Sequence, residues 1–149
     1  MNVIFMGTPD FAVPILDAVV AAGHRIVLIV TQPDKARGRG KKVTYSPVKE
    51  WAIEHNLPVY QPDRIRNPES IETVNNIPAE VGVVAAFGQI LPKEILDHPK
   101  YGCVNVHASL LPKYRGAAPI PWSILTGDEY TGVPTLPMGP GPDDGALLP

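Results

Sequence analysis

Cysteine is almost absent from this 149-residue chain, in which Cys103 is the only one. A single cysteine excludes an internal disulfide framework, and its position in an apolar stretch favours a reduced, intracellular protein. The sequence also lacks apolar runs long enough to cross a membrane, and its N-terminus lacks the basic flank and long apolar region of a signal peptide. We therefore expect a cytoplasmic protein that does not engage a membrane.

Three signatures of common enzyme classes are missing as well. No second cysteine or histidine stands at metal-ligand spacing, so we expect no metal site. The absence of a Gly-x-Ser-x-Gly elbow disfavours a serine hydrolase. The first glycine turn contains only Gly7 where a dinucleotide site needs three glycines, so neither NAD nor FAD is predicted.

The chain does have an ordinary globular composition, with 44% hydrophobic residues and a net charge of -2. Continuous apolar runs, typical of strands buried on both faces, alternate with stretches of helical spacing. The predicted strands cover residues 2–6, 25–30, 57–60, 81–86 and 103–107, and the predicted helices cover 9–22, 48–55, 67–76, 92–96 and 117–127. Thr8 and Pro9 are expected to cap and open the first helix. This order predicts an α/β fold with a Rossmann-like, mostly parallel sheet and helices on both faces.

Residues 31–45 are predicted to form a long loop that is rich in positive charge. The loop carries one acid, Asp34, against five cations: Lys35, Arg37, Arg39, Lys41 and Lys42. Long ordered loops are often functional, and a basic loop suits the phosphate backbone of a nucleic acid. From the residues alone, a solvated and flexible face remains the alternative.

The most unusual polar pair is Asn105 and His107, at the end of the last predicted strand. A period of two puts both side chains on the same face as Cys103. Strands buried in a parallel sheet are normally apolar on both faces, so this pair costs free energy unless it is hydrogen-bonded. An amide can donate to a developing oxyanion and an imidazole can exchange a proton near neutral pH, which suits acyl transfer. A core histidine beside a strand-end asparagine is the competing interpretation.

Several blocks of residues resemble one known family. They are Phe-Met-Gly-Thr-Pro-Asp-Phe-Ala (5–12), Thr-Gln-Pro-Asp (31–34), Gly-Arg-Gly-Lys-Lys (38–42), Ser-Pro-Val-Lys (46–49), Ala-Ala-Phe-Gly-Gln-Ile-Leu-Pro (85–92), Asn-Val-His-Ala-Ser-Leu-Leu-Pro (105–112) and Arg-Gly-Ala-Ala-Pro-Ile (115–120). With these blocks the chain resembles the N-terminal catalytic domain of methionyl-tRNA formyltransferases. That family belongs to the 10-formyltetrahydrofolate-dependent formyltransferase and hydrolase superfamily.

The resemblance implies a reaction of translation initiation, in which a formyl group passes from 10-formyltetrahydrofolate to the amino group of initiator methionyl-tRNA. Asn105 would hold the oxyanion of a tetrahedral intermediate, and His107 would stabilise it and assist proton movement. An ungapped count places the family's catalytic aspartate on Asp143, with Asp144 competing for the role. No metal is implied.

The resemblance also assigns two binding regions. Residues that would border the folate pocket are Phe87, Gly88, Gln89, Ile90 and Leu91, together with Ser109, Leu110, Leu111 and Pro112. The basic loop looks like the insertion that engages the acceptor end of the tRNA, with Arg39 on the family's arginine. Lys35, Arg37, Lys41 and Lys42 would share that role.

The family pattern also bears on domain organisation. The match runs from residue 3 to about 133, so we expect an incomplete catalytic domain over 1–133 and an atypical Pro/Gly-rich tail over 134–149. The family's C-terminal barrel domain is expected to be absent, and the chain is expected to be a monomer. Two alternatives remain: a non-catalytic folate- or tRNA-binding fragment, and a sugar-nucleotide formyltransferase, against which the basic loop argues.

Overall fold

The computed structural model describes residues 1–37, 42–107 and 122–125. Within these residues the strands are β1 (Asn2–Gly7), β2 (Arg25–Val30), β3 (Lys35–Arg37), β4 (Lys42–Thr44), β5 (Val59–Tyr60), β6 (Val81–Ala85), β7 (Cys103–Val106) and β8 (Trp122–Leu125). The helices are α1 (Ala12–Ala21), α2 (Pro47–Glu54), α3 (Pro68–Asn75) and α4 (Lys93–Leu96). None of the helices in the described part of the chain has the length and apolar character needed to span a membrane.

Six strands form one sheet in the order β5-β2-β1-β6-β7-β8. Five of them run parallel, with β1 at the centre between β2 and β6. Only β8 runs antiparallel, along the outer side of β7. The prediction of a mostly parallel α/β sheet is therefore confirmed, and the continuous apolar runs arise because both faces of the sheet are covered.

Each face of the sheet carries its own apolar core. On one face, α1 and α2 pack against alternate residues of β1, β6 and β7, including Val104 and Val106. On the other, Val74 of α3 and the residues of α4 pack against the remaining alternate residues and Cys103. A fully buried aliphatic side chain contributes about 1.5–3 kcal/mol relative to an exposed one, so these two clusters dominate the stability of the sheet.

Strand alternation places Asn105 on the α3 and α4 face, next to Cys103. Cys103 is fully buried, and burial raises the pKa of its thiol to about 12. A thiol with so high a pKa stays protonated, so Cys103 acts as an apolar side chain of the core.

The predicted start of the first helix was wrong. Helix α1 begins at Ala12, with Phe11 as its N-cap and without a side-chain cap. The Thr8 hydroxyl instead donates to the Phe87 carbonyl oxygen at 2.9 Å, so a tertiary contact takes the group that could have capped the helix. Ala12 donates its backbone N–H to Pro9 O, forming a turn before the helix. Helix α2 does have a side-chain cap, because Ser46 Oγ accepts from the Lys49 N–H.

Two other local predictions were also wrong. The predicted loop 31–45 contains an antiparallel hairpin, in which Lys35 pairs with Thr44 and Arg37 with Lys42. Within the predicted helix 117–127, Trp122–Leu125 form strand β8 instead. Pairing with β7 gives backbone partners to a strand that would otherwise have an open side, and this outweighs the helical spacing of the sequence. The remaining residues of that range lie outside the described part.

Candidate functional site

The carboxyl ends of the parallel strands meet at one edge of the sheet, where open α/β folds bind ligands. Five described segments follow β1, β2, β5, β6 and β7 at this edge. Because β6 lies directly between β1 and β7, the loop after β6 is central among them.

Asn105 and His107 lie at the end of β7. Asn105 is paired with Val84 of β6 on one side and with Ser123 of β8 on the other, which fixes its backbone in the sheet. His107 directly follows the strand, and both residues are half-buried. Their position brings an amide and an imidazole to the carboxyl-end edge of the sheet.

Burial lowers the pKa of His107 from its ordinary value of 6.5. The neutral imidazole is therefore the main form at pH 7, with one ring nitrogen as donor and the other as acceptor. A protonated imidazole at this position requires a neighbouring negative charge. The two aspartates predicted for that role, Asp143 and Asp144, lie outside the described residues.

The loop after β6 contains five of the residues predicted to border a folate pocket. Phe87 and Leu91 are each 2% exposed and pack into the core, so their side chains anchor the loop. Gly88, Gln89 and Ile90 line an open cavity of about 440 Å³ together with residues 63–66. The other four predicted pocket residues, Ser109, Leu110, Leu111 and Pro112, lie outside the described residues.

A network of three glutamines joins the loops at this edge. Gln89 Nε2 donates to Gln32 Oε1 at 2.8 Å and to Asp63 O at 3.1 Å, and its Oε1 accepts from the Ile65 N–H at 2.8 Å. Gln61 Nε2 donates to the Gln32 carbonyl oxygen at 3.2 Å. The loops after β2, β5 and β6 are therefore held together by side-chain amides, and sequence analysis assigned no role to Gln32 or Gln61.

Hydroxyl groups extend this network toward β1. Thr31 is fully buried, and its Oγ1 lies 3.0 Å from Ser46 Oγ and 3.4 Å from Thr8 Oγ1. The Gln32 N–H donates to Thr8 Oγ1 at 3.3 Å. The hydroxyl of Thr8 thus connects the turn after β1 both to β2 and to the loop after β6.

The base of the β3–β4 hairpin is fixed by Asp34. Its carboxylate accepts from Lys49 Nζ and from Gln61 Nε2, both at 2.8 Å. These two hydrogen bonds lower the pKa of Asp34. The single acid of the basic segment is therefore paired, and it ties the hairpin to α2 and to the glutamine network.

The predicted tRNA-binding cations are only partly described. Lys35 is exposed at the start of the hairpin, and the backbones of Arg37 and Lys42 pair at its far end. Arg39 and Lys41 lie outside the described residues. Within the described part, no group of three or more His, Cys, Asp or Glu side chains is placed to hold a metal ion.

Comparison with known sequences gives a family. A formyl transferase family model matches residues 1–149. The chain is 57% identical to a methionyl-tRNA formyltransferase of Agathobacter rectalis over 148 residues, which cover 99% of this chain and 48% of that protein. It is also 57% identical to a methionyl-tRNA formyltransferase of Clostridioides difficile with the same coverage. The chain therefore spans about half the length of the curated relatives it matches.

Comparison with solved structures concerns the fold alone. A phosphoribosylglycinamide formyltransferase from Coxiella burnetii superposes with a TM-score of 0.56 at 16% identity, covering 99% of this chain and 78% of that one. A glycinamide ribonucleotide transformylase from Geobacillus kaustophilus gives 0.55 at 15% identity, covering 99% and 88%. The parallel sheet with Asn105 and His107 at its carboxyl-end edge thus occurs in a chain that belongs to the formyl transferase family.

Proposed function

We propose that this chain provides the site at which a formyl group moves from 10-formyltetrahydrofolate to the amino group of methionyl-tRNA. The observation that carries the proposal is the position of Asn105 and His107, half-buried where β7 meets the ligand-binding edge. The acceptor is proposed from the two relatives named above, whose names include methionyl-tRNA. Those relatives are about twice as long as this chain. The catalytic activity of a full-length protein is therefore itself part of the proposal.

The proposed reaction begins when the neutral amine of the methionyl group attacks the formyl carbon. A carbon–nitrogen bond forms and the carbonyl oxygen becomes an oxyanion, which accepts hydrogen bonds from the Asn105 amide and from His107. Collapse of the intermediate breaks the bond to N10 of the folate. The proton lost by the amine balances the one gained at N10, and His107 is placed to carry it.

The charge of His107 during the reaction depends on its neighbours. Burial favours the neutral ring, whereas oxyanion stabilisation is strongest from a protonated one. An aspartate beside the ring would raise its pKa, and Asp143 is the candidate, with Asp144 as the alternative. The proposed triad therefore combines a half-buried imidazole with a carboxylate that sets its charge.

The proposed folate pocket lies against the loop after β6. Gly88 and Ile90 are exposed there, and Ile90 keeps 60% of its surface in solvent, so the loop offers an apolar edge to the flat rings of a folate. Residues 109–112 would form the opposite side. Phe87 and Leu91 support the pocket from beneath, and Gln89 holds the loop in shape.

A non-catalytic fragment that binds folate or RNA is the second candidate. It is motivated by the 48% share of each relative's length that the chain covers. Turnover separates the two candidates when the 149-residue chain is incubated with 10-formyltetrahydrofolate and methionyl-tRNA. Formylated methionyl-tRNA supports the enzyme, whereas binding of either substrate without product supports the fragment. A sugar nucleotide as competing acceptor tests the remaining alternative.

A further inference from the structure

The glutamines of the chain are Gln32, Gln61 and Gln89, and all three belong to the network at the carboxyl-end edge of the sheet. Two of them begin the same tripeptide, Gln-Pro-Asp, at residues 32–34 and 61–63. The first copy follows β2 and the second follows β5, and these two strands are parallel neighbours. Because a proline ring fixes its own φ, both copies leave the sheet as stiff segments that lie side by side.

The side chain of Gln61 joins the second copy to the first. Gln61 Nε2 donates to Asp34 Oδ1 at 2.8 Å and to the Gln32 carbonyl oxygen at 3.2 Å, so this amide group has two acceptors for its two protons. Asp34 directly precedes β3, and its other carboxylate oxygen accepts from Lys49 Nζ. Gln61 therefore holds the base of the β3–β4 hairpin, the segment proposed to contact RNA.

The loop after β6 is joined to both copies by Gln89. Its Nε2 donates to Gln32 Oε1 in the first copy and to the Asp63 carbonyl oxygen in the second. Its Oε1 accepts from the Ile65 N–H. Two routes thus connect this loop to the hairpin, one through the Gln32 side chain and the other through Gln61.

The two segments leave each other little room to move independently. A Cβ added at Gly88 would overlap the Gln32 side-chain nitrogen, so the loop packs directly against the first copy. Farther from the network both segments are open to solvent, since Lys35 is exposed and Ile90 keeps 60% of its surface exposed. Displacing either segment alone therefore breaks hydrogen bonds that the other segment shares.

We propose that Gln32 and Gln61 are positioning residues that couple the two substrates, so that RNA bound at the hairpin raises the affinity of the loop for folate. The inference rests on the proposed function, which assigns folate to the loop and RNA to the hairpin. A ligand that immobilises an exposed segment spends part of its binding free energy on ordering it. Through the shared hydrogen bonds, the first ligand orders part of the second ligand's site. Linkage requires that folate raises the affinity for RNA by the same factor.

The test measures the dissociation constant of 10-formyltetrahydrofolate by isothermal titration calorimetry, with and without saturating uncharged initiator tRNA. Uncharged tRNA lacks the methionyl amine, so formyl transfer does not disturb the equilibrium. With the unsubstituted chain, the tRNA should lower this dissociation constant by at least about fivefold, the lower end of common coupling factors. The coupling factor is a ratio taken within each variant, so a changed affinity for one ligand alone does not imitate its loss.

Each of Gln32→Leu and Gln61→Leu removes one of the two routes, so each should have a smaller coupling factor than the unsubstituted chain. The double variant should have a factor close to one. Asp17→Ala is the matched control, because it removes the acceptor of a 2.8 Å hydrogen bond from Trp51 Nε1. Trp51 shares a cavity with Arg25, the first residue of β2, at the opposite edge of the sheet. This control should keep the full coupling factor.

A coupling factor near one in an unsubstituted chain that binds both ligands would overturn the inference alone. A double variant that keeps the full factor would do the same, as would an Asp17→Ala variant that loses as much of it. If the unsubstituted chain fails to bind tRNA or folate, the inference falls together with the proposed function. Far-ultraviolet circular dichroism checks the fold of every variant. If the double variant does not fold, the two single variants decide, and factors equal to that of Asp17→Ala would contradict the coupling.

Discussion

Gln89 donates its side-chain amide to Gln32 Oε1 at 2.8 Å, across a sequence separation of 57 residues. The same amide group also donates to Asp63 O, and its oxygen accepts from the Ile65 N–H. The side chain of Gln89 is therefore occupied by protein groups on both its nitrogen and its oxygen. It determines the shape of the loop that borders the proposed folate pocket.

Replacing Gln89 by Leu should lower the free energy of unfolding by about 1–3 kcal/mol, because the Ile65 N–H and the Asp63 carbonyl lose their partner while the volume is nearly kept. Urea denaturation followed by circular dichroism measures the change. The control is Ile90→Ala, next to it in the same loop and 60% exposed, which should stay within about 0.5 kcal/mol. Equal effects of the two substitutions on the free energy of unfolding would contradict the conclusion that the hydrogen bonds of Gln89 hold the loops together.

Replacing Gly88 by Ala should destabilise the chain more than Gly23→Ala. Both glycines have positive φ, +103° and +91°, so each substitution costs about 1–2 kcal/mol of backbone strain. At Gly88 the new Cβ would also meet the Gln32 side-chain nitrogen, whereas at Gly23 nothing lies within 4 Å. Displacing Gln32 would break its hydrogen bond to Gln89. This loss should add about 0.5–1.5 kcal/mol to the destabilisation caused by Gly88→Ala.

Unfolding free energies of the two alanine variants, measured again in a Gln32→Ala background, test this cause. There the difference between Gly88→Ala and Gly23→Ala should disappear. A difference that persists would show that the close approach of Gln32 is not its origin.

The fold was largely predictable from sequence because its strands are buried on both faces. Runs such as residues 26–30 and 81–85 are apolar throughout, which is typical of a sheet covered by helices on both sides. Residues 122–125 show the limit of this approach, since their strand depends on an edge that β7 offers. Thr8 was likewise misjudged, because the carbonyl that takes its hydroxyl belongs to a residue 79 positions away.

The candidate site was predictable where its residues depart from the apolar pattern of a buried strand. Asn105 on β7 and His107 directly after it are polar positions in a run that is otherwise apolar, and that exception was visible in the sequence. The sequence gives no such signal for Gln32, Gln61 and Gln89, because polar residues are expected in loops. Their importance arises only from contacts between three distant loops, which spacing along the chain does not reveal.

Folding stability should decrease as the pH falls below about 6.5, partly because of His24. Burial and the neighbouring Met1 ammonium lower the pKa of this histidine, with Glu80 acting in the opposite direction. The Met1 ammonium lies 3.1 Å from Nδ1, and Nε2 is buried without a hydrogen-bond partner among the described residues. Between the ordinary value of 6.5 and the lowered value, the unfolded chain binds more protons, so acid favours unfolding.

Chemical denaturation of the unsubstituted chain and of His24→Asn, at intervals from pH 7.5 to pH 5, measures this contribution. The asparagine retains an acceptor for Met1 but does not titrate, so the variant should show a shallower loss of stability. Identical pH profiles would rule out a contribution from His24.

Replacing Arg39 by Ala should weaken the use of methionyl-tRNA more than the binding of folate, since the basic segment is proposed to contact phosphates. Loss of one phosphate contact should also weaken the salt dependence of RNA binding. The slope of the logarithm of the binding constant against the logarithm of the salt concentration should fall in magnitude by about one. Lys100→Ala is the control, because this exposed cation precedes β7 at the opposite edge of the sheet. Equal losses of folate and tRNA binding in Arg39→Ala would argue against an RNA-binding role.

The rate of formyl transfer by His107→Ala, relative to the unsubstituted chain, tests the central claim most directly. His55→Ala is the matched control, because His55 is exposed and lies near Arg25, the first residue of β2, and Pro58, which precedes β5, at the opposite edge. With 10-formyltetrahydrofolate and methionyl-tRNA, we expect His107→Ala to lose about 100- to 10,000-fold in rate while circular dichroism and folate binding are retained. His55→Ala should keep a rate close to normal. A His107→Ala rate within twofold of the unsubstituted chain would contradict the account.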